Sequence, residues 1–245
     1  MVGQVIFALY VALNYGAPAL HQSMAEANKT LPHGFESGNA TGNLLLGLHL
    51  FFAIIISVGG PLQLIPRLRS VAPKFHRWNG RVYLATAVIM ALSGLYLGFS
   101  GRKLVGDEIQ HMAITLNAVL ILIMAVFTVR TAIARRFAEH RKWALRLYLM
   151  VSGVWFFRVG LMFWLVLNRA PVGFNMKTFS GPFLTILTCL VYVGTLGFLE
   201  VYLRADDSPR PAFKAAAAIM VACTTIVMAV GIFAATMGMW IPRIR

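Results

Sequence analysis

The chain has 245 residues, 59% of them hydrophobic, and a formal net charge of +14. A mean hydropathy of +0.74 is too high for a water-soluble domain of this size, so the basic excess is not a nucleic-acid footprint. The two cysteines, Cys189 and Cys223, lie in apolar runs without zinc or disulfide spacing and read as small core residues.

A transmembrane helix needs roughly 20 apolar residues at about 1.5 Å rise each. Seven stretches qualify, at about 3–20, 43–65, 80–100, 109–130, 146–168, 182–203 and 213–236. The predicted fold is therefore an all-α integral membrane protein of seven spans. It forms a single membrane domain over 1–245, with a core at 43–168 and peripheral helices and loops at 1–42 and 169–245.

In the first span, Ala17-Pro18-Ala19 resembles a signal-peptide cleavage site. Residues 1–6 have no Lys or Arg to form an n-region, so a retained helix is expected. Residues 21–42 make the longest polar connection, and His21 and His33 within it read as solvated. Asn39-Ala40-Thr41 matches a glycosylation sequon and reads as a coincidence.

The connections after spans two, four and six hold 14 of the 22 Lys and Arg, including Arg67, Arg69, Arg77, Arg81, Arg130, Arg135, Arg136, Arg141, Arg146, Arg204, Arg210 and Lys214. The opposite side holds seven, and Arg158 alone lies within a span. The positive-inside rule then places the N-terminus in the cytoplasm and the C-terminus outside.

The centre of the chain contains a tandem repeat. His76-Arg77-Trp78 is followed by Arg81 and Tyr83-Leu84; His140-Arg141-Lys142-Trp143 is followed by Arg146 and Tyr148-Leu149. Each copy follows a span with a histidine near its outer end, His49 in one and His111 in the other. The unit reads outer His, span, basic loop, His-Arg, span, and its recurrence implies a pseudo-twofold axis along the membrane normal. A central four-helix bundle of spans two to five is expected, with spans one, six and seven bracing it.

The histidines stand at two depths. His49 and His111 share the outer level; His76 and His140 precede their spans by a few residues and share the inner level. Neutral imidazole is a common haem ligand, and facing helices of a bundle can build such a site. Depth alone therefore pairs His49 with His111 and His76 with His140, enough for two b-type haems. The plainer alternatives are interfacial histidines at 76 and 140, and mutual hydrogen bonds for 49 and 111. Gly47, Gly94, Gly98, Gly153 and Gly160 fit either a macrocycle between helices or ordinary small-residue packing.

An arginine inside a span is costly and is normally paired or faces a cavity. Arg158 is expected to meet a haem propionate or another ligand; the alternative is a structural bond to Asn117, Gln63 or helix carbonyls. Glu200 is expected to pair with Arg204 one turn on. The tryptophans at 78, 143, 155, 164 and 240 read mostly as an interfacial belt. Arg77, Arg81, Arg141, Lys142 and Arg146 could receive an anionic electron donor, guide propionates of an inner haem, or simply contact headgroups.

Two resemblances extend this reading. Gly60-Pro61-Leu62-Gln63, Arg67, Arg69 and His76-Arg77-Trp78-Asn79-Gly80-Arg81-Val82-Tyr83 resemble the bacterial membrane family called domain of unknown function 2306, as do His140-Arg141-Lys142-Trp143-Ala144-Leu145-Arg146 and Arg158. The likeness covers about residues 43–168 and implies a bacterial inner-membrane location but no activity. The layout of histidines on four consecutive helices is also similar to the cytochrome b561 family, whose alternate helices pair around haem. That likeness implies the same two pairs and a transmembrane oxidoreductase.

The expected function is transmembrane electron transfer through two haems b, from quinol or a soluble reductant to an acceptor on the opposite face. Membrane lipid is the expected surrounding, nucleic acid is excluded, and a homodimer is left open. The alternatives are a haem-free protein acting on a lipid or quinone headgroup, and a small-solute transporter using Arg158.

Overall fold

A computed structural model describes residues 1–16, 38–99 and 106–244, and these are almost wholly helical. The expectations for Ala17 to Ala19, His21 and His33 lie outside the described residues, as does the end of the first span. The helices group into two compact units, Met1–Leu104 with Thr236–Arg245, and Val105–Ala235. Each copy of the repeat falls in its own unit.

Unit 1 contains α1 (Val2–Val11), α2 (Ala40–Gln63), α3 (Pro66–Val71) and α4 (Pro73–Phe99). A π-helical turn at Thr236–Trp240 and the short α11 (Ile241–Ile244) complete it. Helix α2 starts on Asn39, whose side chain accepts from Gly42 N at 2.9 Å, and it carries Pro61 in its last turn. Two amides clip α2 to α4: Asn79 Nδ2 donates to Gly59 O at 2.9 Å and Gln63 Nε2 to His76 O at 3.1 Å. Glycine at 59 lets Asn79 in, since a Cβ there would stand 3.1 Å from Asn79 Oδ1. Trp240 is fully buried, its ring 5.6 Å from that of Phe7.

Unit 2 contains α5 (Glu108–Ile133), α6 (Phe137–Val151), α7 (Gly153–Asn168), α8 (Pro182–Cys189), α9 (Thr195–Asp206) and α10 (Pro211–Ala235). A π-helical turn at Leu190–Gly194 joins α8 to α9. Its core gathers Leu161, Leu184, Leu187, Val191 and Tyr192, with Phe156, Phe157 and Phe183 against them. Helix α10 comes close enough to α7 that a Cβ on Gly231 would collide with the Val159 carbonyl, the use membrane helices make of small residues.

Among the described residues, five helices are long and apolar enough to cross a membrane: Ala40–Gln63, Pro73–Phe99, Glu108–Ile133, Pro182–Asp206 and Pro211–Arg243. The expected span at 146–168 is not one straight helix. Helices α6 and α7 meet at 55°, and counting them as one broken span makes six. The break falls at Ser152-Gly153, a Ser/Gly pair of the kind that accompanies sharp kinks. The apolar helix Val2–Tyr15 is shorter than a span. Cys189 and Cys223, expected in the core, are both exposed; an apolar run in a membrane helix has an outer face as apolar as its inner one.

Candidate functional site

His49 and His76 belong to unit 1, His111 and His140 to unit 2, so each pairing expected from depth draws on both units. Within unit 1, His49 Nδ1 lies 3.2 Å from Ser93 Oγ, on α4. Ser93 Oγ also lies 3.1 Å from Met90 O, so its one proton can serve either contact. With Ser93 accepting, His49 would carry its proton on Nδ1 and the lone pair of the neutral ring on Nε2.

Within unit 2, His140 repeats this arrangement. Its Nδ1 lies 3.0 Å from the backbone oxygen of Thr128 on α5. A carbonyl can only accept, so Nδ1 again carries the proton and Nε2 is the basic nitrogen of the neutral ring. The hydroxyl of Thr131 bonds the same carbonyl at 3.2 Å.

His76 and His140 sit near the N-terminal ends of α4 and α6, inside the helices rather than ahead of them, because helix formation begins at Pro73 and Phe137. The backbone of His76 accepts from Gln63. His111 is half-buried in the first turn of α5, its N–H bonded to Asp107 O at 3.1 Å. No cluster of three or more His, Cys, Asp or Glu fit to hold a metal occurs among the described residues. Ligation by one imidazole on each side of a haem does not need one.

Arg158 is half-buried, and its Nη1 reaches Val154 O at 3.4 Å, a carbonyl of its own helix. Gln63 and Asn117, its other expected partners, are engaged elsewhere: Gln63 with His76 O, and Asn117 Nδ2 with Met150 O at 3.3 Å. That second bond serves the last turn of α6, where the break leaves carbonyls without helical donors. Asn117 Oδ1, on α5, and Trp155 Nε1, on α7, are buried without hydrogen-bond partners among the described residues.

Arg77, Arg81 and Arg141 are exposed. Arg146 is not available to a ligand in the same way: its Nε and Nη2 both meet Glu200 Oε1 at 2.7 Å, and its guanidinium stands 4.8 Å from the ring centre of Trp143. Glu200 thus takes its close partner from α6 and not from Arg204. Trp155 and Trp240 are buried rather than interfacial. Gly153 and Gly160 are packing positions, where a Cβ would run into Tyr192 and Leu187; nothing lies within 4 Å of a Cβ on Gly47, Gly94 or Gly98.

Residues 46–196 match the family model described as predicted membrane protein, DUF2306. The chain belongs to this family. The matched region of the DUF2306 protein includes all four histidines, both basic motifs and Arg158. Neither the curated proteins nor the solved structures contain a match.

Ser93 and Thr128 are the partners that the sequence did not single out. Ser93 is an ordinary small polar residue in an apolar run, and Thr128 acts through its backbone. The break at Ser152-Gly153 was not read from the sequence, and neither were Asn117 and Trp155 as its neighbours.

Proposed function

We propose that this DUF2306 protein binds b-type haem through histidine and carries electrons across a bacterial inner membrane. The supporting observation is the orientation of His49 and His140. Histidines that ligate metals characteristically donate their second ring N–H to a carbonyl, hydroxyl or carboxylate, which fixes the tautomer and makes the other nitrogen a better ligand. His140 has that arrangement through Thr128 O, and His49 Nδ1 has the Ser93 hydroxyl at 3.2 Å; Nε2 would be the ligating atom of each. His111 and His76 are the proposed second ligands. Haem held between two imidazoles supplies one-electron exchange without an open iron position.

In this proposal the bent α6–α7 pair is one span and the N-terminal helix another, which gives seven, with the basic connections in the cytoplasm. The test is the spectrum of protein purified from haem-replete cells, with a pyridine haemochrome assay. A Soret band and b-type haemochrome are expected; their absence at full haem supply would refute the reading. His49→Ala and His111→Ala should remove one haem, and His76→Ala and His140→Ala the other.

A second reading, a small-solute transporter, draws on the broken span. Discontinuous helices bind substrate in many transporters, and the break here has Arg158 within two turns and buried Asn117 Oδ1 and Trp155 Nε1 beside it. It predicts flux that Arg158→Gln abolishes in haem-free protein.

A further inference from the structure

The two copies of the repeat differ in what neutralises them. Aligned on Trp78 and Trp143, Arg77 corresponds to Lys142 and Arg81 to Arg146. In unit 2 both positions are closed by acids. Lys142 Nζ meets Asp207 Oδ2 at 2.7 Å and Arg146 meets Glu200 at 2.7 Å. Trp143 is itself covered, stacked 4.5 Å from the ring centre of Phe127.

The described residues of unit 1 have nothing equivalent. No Asp or Glu occurs among its described residues. Arg67, Arg69, Lys74, Arg77 and Arg81 are all exposed, and none of their side chains forms an ion pair or hydrogen bond among the described residues. Helical geometry gathers four residues on one face. At 3.6 residues per turn, Lys74, Arg77, Trp78 and Arg81 fall in a single stripe of α4. The opposite face carries Asn79 and Tyr83, both buried. Trp78 is 61% exposed and Val71, at the end of α3, 75%. A bare indole and an aliphatic side chain among guanidiniums suit the boundary between acyl chains and headgroups. A soluble acidic partner would leave them with nothing to cover.

We propose that this face of unit 1 binds the headgroup of an anionic phospholipid. Arg77 and Arg81 would clamp the phosphate, and Trp78 would lie at the top of the acyl chains. Guanidinium meets phosphate through paired N–H donors in a geometry that lysine cannot reproduce. Positions one turn apart hold their Cβ atoms about 6 Å from each other, near enough for both side chains to reach one phosphodiester. Arg67, Arg69 and Lys74 add local positive potential. The corresponding face of unit 2 does not bind lipid in this way, because its two cations are already taken. The proposal does not depend on haem.

The experiment is native mass spectrometry of the delipidated full-length protein, offered phosphatidylglycerol and phosphatidylcholine in equal amounts. One phosphatidylglycerol should be retained in preference. The double variant Arg77→Gln/Arg81→Gln should lose that preference, with affinity falling roughly 30-fold. Arg130→Gln/Arg135→Gln, which removes the same charge from exposed positions of unit 2, should keep it. Arg77→Lys/Arg81→Lys should bind at intermediate strength. Circular dichroism and melting confirm that each variant is folded. The proposal is overturned by equal retention of the two lipids, by an equal loss in the unit 2 variant, or by displacement of the lipid with excess inorganic phosphate, which would mark a free-anion site.

Discussion

Ser93 illustrates how much of a candidate ligand's chemistry is set by a neighbour. His49 alone could present either ring nitrogen. With its Nδ1 bonded to Ser93 Oγ, Nε2 is the nitrogen proposed to ligate. If His49 holds haem, Ser93→Ala should weaken haem retention at that site by roughly 10- to 100-fold while leaving the other haem in place; haem titration of the apoprotein measures this. Unchanged affinity would mean that Ser93 merely packs. His49 was legible as a polar residue in an apolar run. Ser93 was not, because its role comes from a contact across 44 residues of sequence.

Asp107 is a second residue whose chemistry can be read directly. Its Oδ1 accepts from Gln110 N at 2.8 Å, capping α5, and its Oδ2 accepts from the Thr185 hydroxyl on α8 at 2.7 Å. The Gln110 N–H first, and then the Thr185 hydroxyl, hold its carboxyl below the ordinary 3.8. Protons therefore bind the unfolded chain more readily. The stabilisation is complete above 3.8 and is lost as pH falls through the lower folded value. Asp107→Ala should cost about 1 kcal/mol at neutral pH. Its deficit against the parent protein, measured by thermal unfolding in detergent, should shrink in acid.

At the scale of elements, the junction of α6 and α7 depends on glycine for space. The Tyr192 ring lies where a Cβ on Gly153 would stand. Alanine ordinarily stabilises a helix relative to glycine by about 0.5–1 kcal/mol; here the sign should reverse. Gly153→Ala should destabilise, and Gly153→Val should cost about 1–3 kcal/mol. Gly197→Ala on α9, where nothing lies within 4 Å of the new methyl, should show the ordinary sign. Equal responses at the two positions would refute the packing account. The helices themselves were legible from their apolar length. The bend was not, because residues 146–168 are apolar enough to pass for a continuous span and hydropathy carries no direction. The Arg146–Glu200 pair was missed for a different reason: Arg204 is the local partner on the sequence, and only tertiary packing brings α6 to α9.

At the scale of the molecule, the repeat was legible as a repeat, and each copy does occupy a compact unit. What could not be read was the unequal treatment of the copies, since the acids that close the second lie 54 and 65 residues beyond it. The membrane assignment has its own check. Cys189 and Cys223 are exposed on the spans Pro182–Asp206 and Pro211–Arg243. In native membranes, opened or sealed, a membrane-impermeant maleimide should leave both unlabelled, and denaturation in detergent should unmask both. Labelling before denaturation would place that face in water.

In the proposed topology, where α6 and α7 make one broken span, the 55° junction bears on length. Helices α6 and α7 have 15 and 16 residues, so at about 1.5 Å each they are roughly 22 and 24 Å long. Laid end to end they would far exceed a hydrocarbon core of about 30 Å, yet neither half alone would cross it. The joint at Ser152 would take up that excess as an elbow rather than as a tilt of one long rod. A thinner or thicker bilayer would then be met by a change in the angle of that one joint.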